Sequence, residues 1–197
     1  TKTHVLAIRL MENAGWLKID CYMDEAKIAD YDACIFPGGC WNPDFLRADK
    51  DAQRFVQDML ASGKPTTAIC HGQWVMVSAG ILKGKKATAV WNIHPDLANA
   101  GATVLDEPCV VDGNLITARF PYDLPRMVDA LVKQLVKQLV QQEAEFELVQ
   151  QALRQLLHRQ LRPNERQQEL LYLLVHQLPA VFLQRVKESL YQPCQLK

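Results

Sequence analysis

The chain has 197 residues, with 22 basic and 22 acidic side chains and a formal net charge of zero. That length suits one domain with a sizeable core, or a smaller domain with an appendage. The balanced charge argues against nucleic-acid binding, which shows as a basic excess. No apolar run reaches the roughly 18 residues of a membrane span. The opening TKTHVLAIRL lacks the basic, apolar and small-residue order of a signal peptide.

Six cysteines are scattered at Cys21, Cys34, Cys40, Cys70, Cys109 and Cys194, none in a CxxC pair. Without a secretory signal they read as reduced thiols of a cytoplasmic protein. Zinc wants closely spaced ligands, so no metal site is expected, and no pattern implies an organic cofactor. The PGG of residues 37–39 is no phosphate loop, since neither a Walker A nor a GxGxxG pattern surrounds it.

In chain order, strands are predicted at His4–Ile8, Leu17–Cys21, Ala33–Phe36, Thr66–Ile69, Ala87–Val90, Thr103–Asp106, Cys109–Val111 and Leu115–Ala118. ACIF and TTAI are apolar on both faces, as parallel strands covered by helices must be. Helices are predicted at Asp49–Ser62, closed by Gly63, at Gln73–Ala79, closed by Gly80, and at His94–Asn99. Strands alternating with helices predict an α/β fold: a flavodoxin-like parallel sheet flanked by helices. Asp112–Gly113 between two apolar runs predicts a hairpin.

Near residue 133 the composition changes. Of 17 glutamines, 14 lie at or beyond Gln134, and glycine disappears. The expected domains are therefore 1–133, α/β, and 134–197, a Leu/Gln-rich helical extension. From Leu124 a long helix is expected, with Leu131, Leu135, Leu139, Phe146, Val149, Leu153 and Leu156 along one stripe. Pro163–Asn164 breaks it, Asn164 caps a second helix, and Pro179 can open a third. The extension is expected to bind a partner or drive homo-oligomerisation.

The segment Lys64–Trp74, KPTTAICHGQW, carries the chemistry. An apolar strand runs into Cys70–His71–Gly72 and then a helix, an elbow that sets a nucleophile at the carboxyl edge of a parallel sheet. Gly72 permits close approach of neighbouring chain. The helix N-terminus is expected to lower the thiol pKa and to receive a developing oxyanion.

YDACIFPGG at Tyr31–Gly39, NPDFLR at Asn42–Arg47 and GKPTTAICHG at Gly63–Gly72 together resemble the PfpI family. SAGILKGKKATA (Ser78–Ala89), NAGATVLDEPCVVDGNLITAR (Asn99–Arg119) and PYDLPRMVDALVKQL (Pro121–Leu135) extend the resemblance, in order and spacing, over residues 15–135. That group includes intracellular cysteine peptidases, glyoxalases, deglycases and the parkinsonism-associated protein, on a class I glutamine-amidotransferase-like fold. The resemblance implies Cys70 as nucleophile with His71 beside it. It places Gly38 and Gly39 in the pocket loop that helps form the oxyanion site, and Asp44 where several members have an acid that reaches a neighbouring subunit's histidine. Asp44 equally suits a helix first turn. Trp74 walls the pocket or belongs to the core. Cys40, Trp41, Trp91, His94 and Arg119 are further pocket candidates, and Lys85–Lys86 read as a solvated turn.

Two departures stand out. Only 30 residues precede Tyr31, too few for all the family places there. One alignment sets HVLAI on the family's second strand, so that the first strand, its helix and its thiol-bonding glutamate are absent. The other reads HVLAIRLME as the first strand and turn, with Glu12 as a substitute; the first needs the smaller gap. The helical extension also has no counterpart in minimal members. The implied function is a thiol enzyme acting on a small carbonyl compound or a peptide through Cys70, with a non-catalytic scaffold or a redox and stress sensor as alternatives.

Overall fold

The computed structural model describes residues 3–9 and 12–158. The chain divides into two compact units, Thr1–Lys137 and Gln138–Lys197. The expected helix breaks at Pro163–Asn164 and Pro179 lie outside the described residues.

The first unit opens with β1 (His4–Arg9) and β2 (Glu12–Lys18), an antiparallel pair of its own. The pair slips between Ala7 and Ile8. Gly15, at φ +101, lies on the β2 side of that slip, a backbone state that favours glycine. The strand begins five residues before the expected Leu17, and Asn13 and Gly15, poor strand formers by propensity, conceal that start in the sequence.

The central sheet runs β3 (Cys34–Phe36), β4 (Thr66–Ile69), β8 (Leu115–Ala118), β7 (Cys109–Asp112) across its width. The first three are parallel, and β7 returns antiparallel through the Asp112–Gly113 hairpin. Residues of β4 and β8 are fully buried, as TTAI and LITA predict for strands covered on both faces. A small parallel pair, β5 (Lys86–Ala87) with β6 (Thr103–Val104), lies apart. Strand β5 is shorter than Ala87–Val90. The N–H of Thr88 goes instead to Thr117 Oγ1 at 2.9 Å, and that of Val90 to the Cys70 carbonyl at 3.3 Å.

Between the strands lie α1 (Trp41–Leu46), α2 (Lys50–Ala61), α3 (Gln73–Ser78) and α4 (His94–Asn99). Asp49 caps α2, its side chain accepting from the amides of Asp51 and Ala52. One face of α2 supplies Ala52, Val56 and Met59 to the interior. Phe36, Val56, Val75, Met76, Leu82, Ile93, Leu97 and Leu115 form the core on one side of the sheet. On the other side Met127 and Leu131 of α5 (Leu124–His158) pack on Ile69, Ile116 and Ala118. In the second unit α5 continues with Leu139, Val140 and Leu148 exposed.

Candidate functional site

The loops after β3 and β4 meet at the carboxyl edge of the sheet, where open α/β folds hold their ligands. Cys70 follows β4 at φ +63, the one non-glycine residue at positive φ among the described residues. Left-handed backbone costs a residue with a Cβ about 1–2 kcal/mol. The turn is held by Cys70 N–H donating to the Ala118 carbonyl at 3.0 Å and by Gly72 N–H donating to that of Ile69 at 2.9 Å.

Two glycines make the elbow possible. A Cβ on Gly38 would fall 2.6 Å from the Cys70 Cβ and 3.0 Å from the Ile69 carbonyl oxygen. One on Gly72 would fall 2.3 Å from the carbonyl oxygen of Phe36. The PGG loop and the CHG turn are thus pressed together at the two points where a side chain is absent. Gly39, at φ +81, has open space where its Cβ would be.

His71 is 8% exposed, and its Nδ1 lies 3.3 Å from Cys70 Sγ. On the far side of the ring, Nε2 lies 3.3 Å from Asn92 Nδ2 and 3.9 Å from Cys40 Sγ. The ring meets Trp74 edge to face at 5.0 Å between centroids, and Arg47 lies over that indole at 5.2 Å. Asn92 serves either tautomer of the imidazole. Its amide N–H donates to a bare Nε2, or, turned over, its oxygen accepts from Nε2–H and leaves Nδ1 bare towards the thiol.

Burial pushes the Cys70 thiol above its ordinary value, opposed by the backbone amides of His71 and Gly39, which favour the thiolate, and reinforced by Cys40. The expected lowering by the helix terminus is therefore corrected: α3 is a single short helix, and desolvation of a half-buried sulfur outweighs two amides. Burial also lowers the His71 pKa, partly offset by the Asp96 carboxylate. Both shifts favour the uncharged forms of the pair.

Of the other expected residues, Asp44 sits in the first turn of α1, exposed, with no hydrogen bond or ion pair to His71 among the described residues. Trp74 packs against the core and against His71 at once. Cys40 and Trp41 lie at the start of α1, with Trp41 70% exposed. Trp91 is exposed, and His94 turns Nε2 to the Ala89 carbonyl at 3.0 Å. The guanidinium of Arg119 is held by Asp106 at 2.8 Å and Asp123 at 3.2 Å, so it is no unpaired cation for an anion. Glu12 is exposed at the start of β2, opposite Arg9 across the ladder.

Asn92 and Gln73 escaped the sequence reading. Asn92 is 21 residues from His71 and meets it only because the chain leaves β5 beside the elbow. Gln73 is fully buried, and its Nε2 lies 3.3, 2.9 and 2.9 Å from the carbonyls of Ala68, Thr88 and Ala118. It ties the ends of β4 and β8 and the segment after β5 beneath Cys70. A glutamine directly after a Cys-His-Gly turn was the available signal for it. No cluster of three or more metal-ligating side chains occurs among the described residues.

The DJ-1/PfpI family model matches residues 11–134. An uncharacterised protein of Staphylococcus aureus is 45% identical over 108 residues, covering 54% of this chain and 63% of that protein. One from Archaeoglobus fulgidus is 39% identical over 127 residues, covering 64% and 75%. Among solved structures, a two-domain protein of Anabaena variabilis with DJ-1/ThiJ/PfpI-like and ferritin-like domains is 41% identical, with a TM-score of 0.60 over 62% of this chain and 35% of that one. DJ-1 of Schizosaccharomyces pombe is 27% identical, with a TM-score of 0.51 over 54% and 56%. The chain thus spans somewhat under two thirds of the length of the staphylococcal relative.

Proposed function

The chain belongs to the DJ-1/PfpI family, and from that premise we propose that it is a thiol enzyme whose Cys70 attacks a carbonyl carbon of a small 2-oxoaldehyde, a glycated adduct or a peptide. The observation that carries this reading is the elbow: a cysteine held at φ +63, its sulfur 3.3 Å from an imidazole nitrogen. Strained backbone at a single cysteine, held where two glycines let the PGG loop and the elbow touch, is a device for presenting a side chain.

In this reading His71 takes the thiol proton through Nδ1 while Asn92 accepts from Nε2–H. The sulfur–carbon bond forms and the carbonyl electrons move to oxygen. The amides of Gly39 and His71 receive the developing oxyanion. His71 returns the proton to the collapsing intermediate. Gly38, Gly39, Gly72 and Trp74 shape the pocket, and Asp44 is the acid available to a neighbouring copy. These steps need no metal or organic cofactor. A cytoplasmic location, read from the unpaired cysteines, belongs to the same proposal.

The test is turnover of methylglyoxal and of a fluorogenic peptide by wild type and Cys70→Ser, with circular dichroism confirming the fold. Loss of turnover in the variant supports the reading. Turnover retained in Cys70→Ser, or none in wild type, overturns it.

A second reading rests on the exposed Leu139, Val140 and Leu148 of α5. Exposed apolar side chains on this part of α5 suit a partner protein or a second copy of the chain, with the α/β unit as scaffold. The ferritin-like helical domain joined to the same fold in the Anabaena protein supports a separate role for such an extension.

A further inference from the structure

Cys40 has no part in the carbonyl chemistry above, yet its sulfur shares a hydrogen-bonding neighbour with that of Cys70. A single imidazole touches both sulfurs: Cys70 Sγ at 3.3 Å from Nδ1 and Cys40 Sγ at 3.9 Å from Nε2. The loop carrying Cys40 already lies on Cys70, since a Cβ on Gly38 would come within 3.4 Å of Sγ. Charge on Cys40 opposes charge on Cys70, which places the two thiols in one electrostatic neighbourhood. Cys40 itself is exposed, at the solvent side of that loop. The remaining described thiols are occupied elsewhere. Cys21 bonds the Tyr31 hydroxyl at 3.3 Å, Cys34 is on β3 beside Thr66, and Cys109 is on β7 near Asp123.

The geometry points to a two-cysteine redox site in which a hydroperoxide oxidises Cys70 and Cys40 resolves it as a disulfide. His71 takes the Cys70 proton through Nδ1, and the resulting thiolate attacks the terminal peroxide oxygen. A sulfur–oxygen bond forms, the oxygen–oxygen bond breaks, and the leaving alkoxide takes a proton to become an alcohol. Sulfur loses two electrons and the peroxide gains them. The Cys40 thiolate then attacks the Cys70 sulfur, expelling hydroxide, which His71 protonates to water. The sum is two thiols and one hydroperoxide giving one disulfide, one alcohol and one water. A low-molecular-weight thiol reverses it by exchange. Bonded sulfurs stand about 2 Å apart, so residues 37–40 close on the elbow as the imidazole turns aside. Closure covers the nucleophile and protects it from irreversible oxidation to the sulfinic acid.

The experiment treats the full chain with hydrogen peroxide and maps its peptides by mass spectrometry without reduction. The expected product is a Cys40–Cys70 peptide pair, two hydrogens lighter than its parts and restored by dithiothreitol. Cys40→Ser is expected to give no such pair and to accumulate Cys70 with two added oxygens, while Cys109→Ser behaves as wild type. Wild-type Cys70 carrying two added oxygens beside an alkylatable Cys40, Cys70 paired elsewhere, or an unreactive Cys70 each overturns the inference. Methylglyoxal turnover measured on the same samples separates the two proposals. Cys70-dependent turnover without the disulfide retires this one alone, and the disulfide without turnover retires the carbonyl reading alone.

Discussion

Two glycines decide whether Cys70 can stand where it does. Gly72→Ala is expected to destabilise the protein by about 1–3 kcal/mol, since the Phe36 carbonyl it would strike is backbone and cannot step aside. Gly39→Ala meets nothing and pays only for its positive φ. Urea unfolding of the two variants should rank them in that order, and equal midpoints would refute the steric account. At the same scale, His71→Ala should lower carbonyl turnover by about 10²–10⁴-fold, with rescue by added imidazole; full activity without a base at this position would exclude it from the proton path. The Cys70–His71 elbow was legible because the two residues are adjacent and follow an apolar strand. The direction of the thiol pKa was not. It depends on how deeply Sγ is covered, and burial arises from loops that the local sequence does not bring together.

Elements were legible where their signals are local. Asp49 before a helical stripe and Gly63 after it bracketed α2 to within a residue. Asp49→Ala should cost about 0.5–2 kcal/mol, read from thermal or urea unfolding, and no loss would show that the two amides find other acceptors. Strands whose hydrogen bonds leave the ladder were misjudged. Thr88 and Val90 look like strand residues, yet their N–H groups serve Thr117 and Cys70. In β2 the poor strand formers hid the start. Helix α1 was read as NPDFLR without being assigned; its Pro43 sits in the first turn, where a missing N–H does no harm.

For the molecule as a whole, pH is the informative variable. Burial pushes the Cys34 thiol up to about 11, against an ordinary value of 9.0. Between those limits the unfolded chain gives up a proton that the fold retains, so stability falls as pH rises through that window, at most about 1.4 kcal/mol per pH unit. His71 acts at the other end. Its pKa is lowered from 6.5, so the unfolded chain binds the proton first and stability falls as pH drops below that value. Denaturation midpoints from pH 5 to 11 should therefore decline on both flanks. Cys34→Ala should flatten the alkaline flank, and an unchanged flank would mean that Cys34 is not its source. The overall architecture was legible from the alternation of strands and helices. The ladder of β1 with β2 outside the central sheet was not, because pairing partners are a property of the folded chain.

Gln73 has a dynamic consequence. One amide group fastens the ends of two strands and a third segment, and the elbow rests on all three. The Cys70 turn therefore has no hinge of its own. It opens only when the sheet beneath it opens, and the exchange of its backbone hydrogens with solvent deuterium should keep time with that of β4 and β8.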